Sequence, residues 1–230
     1  MTEAFTFNVA TYGTTTAIIY RARDPIEATF IFAHGAGAPQ KHPFMPDMAK
    51  RLAQRGVDVV TFNFLYAEHG RKLPDRNEVL EATWQAAIAS TRARGGLPTA
   101  RLFCGGKSMG GRIASQVASS GEGLSLTGLV FFGYPLHPPK KPKIRRDRHL
   151  PKVPFPMLFV QGTRDELGTA KEIRTLGRLV PLQLHVVEGG DHSLALSKRE
   201  GPEKQIQALD AAADAVAQFV RTTHSEPQEL

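Results

Sequence analysis

The sequence of 230 residues has a single cysteine, Cys104, and no long hydrophobic run. One cysteine can form neither an internal disulfide nor a cysteine metal cluster, so we expect no metal and no cofactor. No stretch approaches the roughly 18 apolar residues of a membrane-spanning helix. The opening residues, MTEAFTFNVATYG, also lack a secretory signal pattern. These absences predict an unprocessed cytoplasmic protein with no membrane partner.

Acidic residues are fewer than basic ones, with 22 Asp and Glu against 29 Lys and Arg, which gives a formal net charge of +7. Such a surplus permits contact with nucleic acid, but it equally serves solubility. Many of the basic residues lie in HPPKKPKIRRDRHLPK, residues 137–152, with hardly any aromatic residues between them. Because a stacking platform for bases is not visible, we do not expect a nucleic-acid partner.

The remaining composition is that of one globular domain, with 41% hydrophobic and 22% charged residues. No repeat, linker or break in composition divides the chain. We therefore predict a single domain over residues 1–230, with a tail that frays from about residue 222. Composition makes no prediction about the oligomeric state.

Short apolar runs alternate with longer amphipathic ones, a pattern typical of strands and crossover helices. We predict an α/β fold with a mostly parallel, eight-stranded sheet and helices on both faces. An antiparallel pair over 5–9 and 16–22 opens the chain, and six buried strands follow in TFIFAHG, VDVVTFNF, ARLFCGG, GLVFFGYP, PMLFVQG and LHVVEGG. Helices are predicted over 45–56, 76–96 and about 204–220, and a further helix begins at Ser108.

The run RLFCGGKSMGGRIASQVA places a G-x-S-x-G turn, from Gly106 to Gly110, between an apolar strand and a helix. This is the context of a nucleophile elbow, in which small neighbours let strand and helix approach a serine in a strained conformation. The alternative is a helix N-cap serine in a glycine-rich turn. The flanking strand and helix favour the elbow, with Ser108 as nucleophile.

Two further loops supply candidate partners for this serine. Asp165 follows the strand PMLFVQG, and His192 follows the strand LHVVEGG. In a catalytic triad of this chain order, His192 is the general base and Asp165 orients it. Asp191 is an alternative acid, although the template places the acid after the penultimate strand and so favours Asp165.

An oxyanion hole needs two amide donors near the serine. One is predicted at Met109, directly after the nucleophile. The second comes from the loop AHGAGAPQKHPFM, at Ala36 or its neighbour Gly37. His34 in the same loop is predicted to brace it by hydrogen bonds, as a supporting residue of the substrate site.

The motifs HGAGAP, FNFLYAEHGRKLPD, GGKSMGGRIAS, FFGYPLHPPKKPK, LFVQGTRDELG and EGGDHS occur in this order over nearly the whole chain. Together they resemble the α/β-hydrolase subfamily that includes testis-expressed protein 30 and the third regulatory subunit of the non-specific lethal histone acetyltransferase complex. The chain is similar, more distantly, to dienelactone hydrolases. The resemblance implies an α/β-hydrolase fold and a triad of Ser108, Asp165 and His192. Some relatives act as parts of assemblies. The chain departs from the family pattern at 138–142, where Pro-Pro-Lys-Lys-Pro replaces a glycine-containing loop.

In this fold a cap is usually inserted after the sixth strand, and here that insertion is only the segment from His137 to Pro154. Such a short insertion predicts a minimal cap and an open, shallow site. The residues predicted to bind substrate are His34, Lys107, Arg112, Tyr134 and Arg145.

Two classes of function follow from these patterns. The first is a serine hydrolase, a carboxylesterase or thioesterase, that forms an acyl-enzyme with a small polar or anionic ester or thioester. The second is a binding or scaffold protein on a hydrolase core, which uses its basic rim on an acidic partner.

Overall fold

An eight-stranded sheet lies at the centre of the structure, a computed structural model that describes residues 2–120, 124–178 and 180–224. Its strands are β1 (Thr2–Val9), β2 (Gly13–Tyr20), β3 (Thr29–Ala33), β4 (Asp58–Phe62), β5 (Leu102–Lys107), β6 (Gly128–Phe132), β7 (Met157–Gly162) and β8 (Leu182–Val187). Strands β3 to β7 are buried almost throughout. Their sequences are mostly apolar because helices cover the sheet on both faces.

The strands lie in the order β1-β2-β4-β3-β5-β6-β7-β8. β1 pairs antiparallel with β2, and β2 antiparallel with β4, whereas the other neighbours are parallel. β3 lies between β4 and β5, so the chain changes its direction of progress across the sheet beside β5. In open parallel sheets, ligands bind outside the carboxyl ends of the strands at such a point. The predicted fold class is confirmed.

The α-helices of the described residues are α1 (Phe44–Ala53), α2 (Leu65–Glu68), α3 (Asn77–Ala93), α4 (Met109–Ser119), α5 (Ala170–Leu176) and α6 (Gly201–Thr222). Alternate residues of β3 point to opposite faces of the sheet. Phe30 and Phe32 join the core beneath α1 and α6, while Ile31 joins the core beneath α3 and α4. None of these helices has the length and apolar character needed to cross a membrane.

The structure adds two short helices that periodicity did not predict. α5 begins with a capping box, in which Thr169 accepts from the Glu172 amide and Glu172 binds the Thr169 amide. A Thr-x-x-Glu signal was therefore present in the sequence. α2 has only four residues and lies inside the loop after β4.

The segment 137–154, between β6 and β7, contains one turn of 3₁₀ helix at Leu150–Lys152 and no α-helix. It therefore matches the predicted minimal cap. Of the tail predicted to fray, residues 225–230 lie outside the described residues, and α6 continues to Thr222.

Candidate active site

Ser108 occupies the sharp turn between β5 and α4, with φ of 50° and ψ of −115°. A non-glycine residue with positive φ is strained, and the surrounding structure must hold it. The Ser108 amide donates to the Phe132 carbonyl at 3.0 Å. A Cβ on Gly106 would lie 2.4 Å from the Ala33 carbonyl oxygen, and one on Gly110 would lie 2.6 Å from the same atom. Only glycine therefore fits two residues before and two residues after the serine.

His192 lies between Ser108 and a buried carboxylate. Its Nε2 is 2.7 Å from Ser108 Oγ, and its Nδ1 is 2.8 Å from Asp165 Oδ2. The His192 side chain is 26% exposed, whereas that of Asp165 is completely buried. An ionised carboxylate only accepts hydrogen bonds, so Nδ1 carries the proton and Nε2 is free to accept from the serine hydroxyl.

The structure distinguishes between the two candidate acids. Asp191 Oδ1 accepts from the amides of Ser193 and Ala195, at 2.8 and 2.9 Å, and so caps its own turn. Asp165, in contrast, contacts the His192 ring through both carboxylate oxygens. Asp165, and not Asp191, is therefore the carboxylate that contacts the His192 ring.

Gln161, near the end of β7, holds the Asp165 carboxylate in place and was missed in the sequence. Its amide nitrogen donates to Asp165 Oδ2 at 2.8 Å, and its amide oxygen accepts from the Tyr134 amide at 2.7 Å. The Leu167 amide donates to the other carboxylate oxygen at 2.8 Å. The signal was a polar residue inside the apolar run MLFVQG, since a fully buried glutamine needs partners.

The three amides predicted as candidate oxyanion donors differ in their hydrogen-bond partners. Gly37 donates to the Tyr66 hydroxyl at 3.3 Å. No hydrogen bond within the described part of the chain engages the Ala36 amide. Met109 opens α4, where amides of the first turn have no acceptor within the helix. Ala36 and Met109 line the same cleft as Ser108, so they are the candidate oxyanion donors, and Gly37 is not.

His34 braces the loop after β3, as predicted, but it does not reach the cleft. Its Nε2 accepts from the Phe64 amide at 3.0 Å, and its Nδ1 donates to the Gly35 carbonyl at 2.7 Å. Burial lowers the pKa of His34 to about 4, so the ring is neutral near pH 7. The prediction that His34 belongs to the substrate site is therefore corrected to a loop support.

Lys107 points towards the histidine loop. Its Nζ donates to the backbone carbonyl of His192, and this contact ties the loop after β8 to the end of β5. Burial lowers the pKa of Lys107 to about 8. Lys107 is not among the residues that line the cleft beside Ser108, and its ammonium contacts the His192 carbonyl in place of the predicted contact with substrate.

Two other predicted binding residues also lie elsewhere. The Tyr134 side chain is fully buried, with its hydroxyl 3.1 Å from Ser115 Oγ, so it cannot touch substrate. Arg145 is paired with Asp147 and lines a separate cavity. The neighbouring Arg146, which was not among the predicted binding residues, lines the cleft beside Ser108.

The cleft beside Ser108 has a volume of about 420 Å³. Its lining consists of Ala36, Pro74, Asp75, Asn77, Leu80, Ser108, Met109, Arg112, Pro135, Arg146 and Leu167. Arg112, which the sequence suggested as a substrate-binding residue, is among these lining residues. Within residues 2–120, 124–178 and 180–224, no group of three or more His, Cys, Asp or Glu side chains could hold a metal ion.

The comparisons with known proteins agree with this architecture. The chain is similar to a dienelactone hydrolase from Anabaena variabilis, with 20% identity, a TM-score of 0.76 and coverage of 97% of this chain and 98% of that one. It is also similar to an α/β serine hydrolase without a lid from Xanthomonas campestris, with 19% identity, a TM-score of 0.73 and coverage of 97% of both chains. An esterase from Pyrococcus furiosus is 16% identical, with a TM-score of 0.73 and coverage of 97% of this chain and 91% of that one.

At these identities the structural likeness shows the fold alone. A family match comes from the sequence itself, because the sequence model of the α/β-hydrolase domain matches residues 26–221. That range includes the elbow, the acid, the histidine and all strands of the parallel part of the sheet. The chain therefore belongs to the α/β-hydrolase family.

Proposed function

We propose that this protein is a serine hydrolase that cleaves esters or thioesters of small acyl groups through an acyl-enzyme intermediate. The observation that carries the proposal is the hydrogen-bonded series from Ser108 through His192 to the buried carboxylate of Asp165. Nucleophile, base and orienting acid are the three roles that this type of acyl transfer requires.

The first half of the reaction transfers the acyl group to Ser108. As Ser108 Oγ bonds to the carbonyl carbon, its proton passes to His192 Nε2 and the carbonyl oxygen becomes an oxyanion. The amides of Met109 and Ala36 donate to that oxyanion, an assignment supported by their position beside Ser108 in the cleft. The intermediate then collapses, and His192 gives the proton to the departing alcohol or thiol.

The second half releases the acid. His192 removes a proton from water, the resulting hydroxide adds to the acyl carbon, and the Ser108 oxygen recovers a proton from His192 as it departs. Asp165 stays ionised and stabilises the imidazolium that forms in each half. Gln161 and the Leu167 amide hold that carboxylate towards the ring.

The test is intact-mass measurement after incubation with a fluorophosphonate, which bonds covalently to an activated serine. We expect one adduct on the wild type, none on Ser108→Ala, and much slower reaction of His192→Ala and Asp165→Asn. Asp191→Asn is the matched control, because asparagine retains an oxygen that accepts from the Ser193 and Ala195 amides. It should be labelled at the wild-type rate.

A folded wild type that forms no adduct would contradict the proposal and favour a binding protein on a hydrolase core. Equal slowing by Asp165→Asn and Asp191→Asn would remove Asp165 from the assigned role. If the adduct forms on Ser108, rates of hydrolysis are measured for a panel of short acyl esters and thioesters. Comparison of the two sets of rates separates carboxylesterase from thioesterase activity.

Within the family, we further propose that the chain belongs to the subfamily of testis-expressed protein 30 and the third regulatory subunit of the non-specific lethal complex. The motifs quoted above, including HGAGAP and GGKSMGGRIAS, support this placement. We also propose that residues 1–230 form one domain. Strands from the beginning and the end of the chain join the same sheet, which supports that view.

A further inference from the structure

Two guanidinium groups line the cleft beside Ser108. Arg112 lies one turn into α4, with its amide donating to the Ser108 carbonyl at 3.1 Å. Arg146 comes from the segment 137–154, where its amide donates to the Leu136 carbonyl at 2.8 Å. One positive charge therefore belongs to the helix that follows the serine, and the other to the segment between β6 and β7.

Neither guanidinium has a carboxylate within 4.0 Å in the described part of the chain. The Arg112 side chain donates to the neutral amide of Gln116 at 2.9 Å. Arg145, next in sequence to Arg146, is in contrast paired with Asp147. The cleft thus retains two arginine side chains whose capacity to bind an anion is unused.

Arg112 is partly buried and Arg146 is exposed. Burial above all, and then the charge of Arg146, lowers the pKa of Arg112 below its ordinary value. The two like charges therefore act on each other, and the attraction of Glu81 offsets the desolvation of Arg112 only in part. An anion bound between the two guanidinium groups would reduce both their mutual repulsion and the desolvation cost of Arg112.

The acidic groups around the cleft reduce its charge but do not cancel it. Asp75 lines the cleft, but its carboxylate binds Arg71 at 2.6 Å and the Tyr66 amide at 2.9 Å. Glu81 interacts electrostatically with Arg112 without contacting it. Asp75 is paired with Arg71, and Glu81 forms no ion pair with Arg112 in the described part of the chain, so both arginines keep donors for a carboxylate.

We infer that the substrate carries a carboxylate a few bonds from the scissile ester or thioester, and that Arg112 and Arg146 bind it while Ser108 attacks. This inference rests on the proposed function and adds to it the class of substrate. A cleft of about 420 Å³ suits a short chain with an acid at one end and an ester at the other. Guanidinium groups bind carboxylates with two parallel hydrogen bonds, so they would also set the position of the ester carbonyl.

The first experiment measures binding without turnover. Monoethyl glutarate and its neutral carboxamide analogue, ethyl 5-amino-5-oxopentanoate, are titrated calorimetrically into Ser108→Ala protein. We expect the acid to bind more tightly than the amide. Adding Arg112→Gln should weaken acid binding about 10- to 100-fold, the range for hydrogen bonds to charged groups.

Arg146→Gln and Arg145→Gln form the matched pair. They remove the same charge from adjacent positions, so a general loss of electrostatic attraction affects both equally. Because Arg146 is exposed, its loss should weaken acid binding about 3- to 10-fold, whereas Arg145→Gln should leave it within about twofold. Equal affinity for acid and amide, or equal effects of the two substitutions, would overturn the inference. Circular dichroism checks that each variant is folded.

The second experiment measures the preference in turnover. The ratio of kcat/KM for monoethyl glutarate to that for the carboxamide ester should fall in Arg112→Gln and Arg146→Gln, and stay unchanged in Arg145→Gln. The acetate ester of 4-hydroxybutanoate carries the acid on the alcohol side, so it shows which side of the scissile bond the arginines contact. A preference for the acid on neither side would contradict the inference.

The two proposals fail in different ways. If no fluorophosphonate adduct forms but Arg112 and Arg146 still select the acid in the binding experiment, the hydrolase assignment fails and the anion site stands. If the adduct forms normally but charge makes no difference to binding or turnover, the hydrolase stands and the substrate class is wrong.

Discussion

At the scale of single residues, the candidate acid depends on a neutral side chain that never touches the substrate. Gln161 is completely buried and contacts both the Asp165 carboxylate and the Tyr134 amide. Without it, the carboxylate keeps the Leu167 amide and the His192 ring but loses the donor that restrains its second oxygen. The Asp165 carboxylate is therefore held by the Gln161 amide as well as by its contact with His192.

Replacing Gln161 with leucine is therefore expected to lower kcat by about tenfold, with KM little changed, because Asp165 would no longer be held at the angle that orients His192. The same change should reduce the free energy of unfolding by about 1–3 kcal/mol, since it leaves buried polar groups without partners. Ester hydrolysis and urea unfolding measure the two effects. Gln183→Leu, the same substitution at an exposed position of β8, is the control. A loss of stability with unchanged kcat would reduce Gln161 to a packing role.

The position of a functional residue could be predicted from the sequence where a local motif determines the backbone conformation around it. Ser108 follows from the glycines on either side of it, whose absent Cβ atoms make room for the neighbouring backbone. Arg145 and Arg146, however, lie in an irregular segment without periodicity. No pattern indicated which of them pairs with Asp147 and which faces the cleft. The direction of a side chain in such a segment depends on tertiary contacts that a single sequence does not reveal.

At the scale of elements, the meeting of β3, β5 and α4 fixes the position of the nucleophile. Gly110 lies where the first turn of α4 passes the end of β3, and a Cβ there would lie 2.6 Å from the carbonyl oxygens of both Ala33 and His34. These oxygens belong to backbone and cannot rotate away. The helix would have to move, and the serine with it.

Gly110→Ala is accordingly expected to reduce the free energy of unfolding by about 1–3 kcal/mol, the usual cost of overpacking. Chemical denaturation measures it. Gly95→Ala is the matched control, because a Cβ there meets nothing within 4 Å and its backbone does not require glycine. Equal stability of the two variants would show that α4 is not held tightly against β3.

Strands were easier to predict than helices in this chain. β3 to β7 are short apolar runs, because both faces of the sheet are covered, and such runs stand out in any sequence. The short α5 buries few residues and offers little periodicity, so its capping box was the main local signal for it. The opening strands were predicted with shifted bounds, since β1 and β2 are partly exposed and their ends lack an apolar boundary.

At the scale of the whole molecule, acidification acts on two histidines far apart in sequence, the buried His34 and the partly buried His149. Burial lowers the pKa of His34 to about 4. Burial, with the charge of Arg112, also lowers the pKa of His149 to about 4. In the unfolded chain both titrate near 6.5, so between pH 6.5 and 4 the unfolded state binds more protons than the folded state. Stability contributed by the neutral rings is complete above pH 6.5 and declines as the pH falls towards 4.

The free energy of unfolding should therefore fall between pH 6.5 and 4, by up to about 1.4 kcal/mol per pH unit for the buried His34 and by less for His149, whose partial exposure lets solvent screen its charge. His149→Gln keeps a hydrogen-bond acceptor near Ser115. It should remove the contribution of His149 and so make the decline of the free energy of unfolding with falling pH shallower. Urea unfolding at a series of pH values measures the slope, with His42→Gln as an exposed control. An unchanged slope in His149→Gln would mean that His149 does not stay neutral in the folded protein.

The edge position of β8 affects the molecule's tolerance of heat. β8 is the last strand of the described sheet, it pairs with β7, and it is only partly buried, yet the loop that follows it carries His192. Edge strands of this kind open locally at a lower free energy than the strands of a central core. Such an opening would carry the base away from Ser108 while β3 to β7 stayed paired. Thermal inactivation would then begin below the temperature at which the whole molecule unfolds, and the lifetime of the activity would follow the fluctuations of one strand.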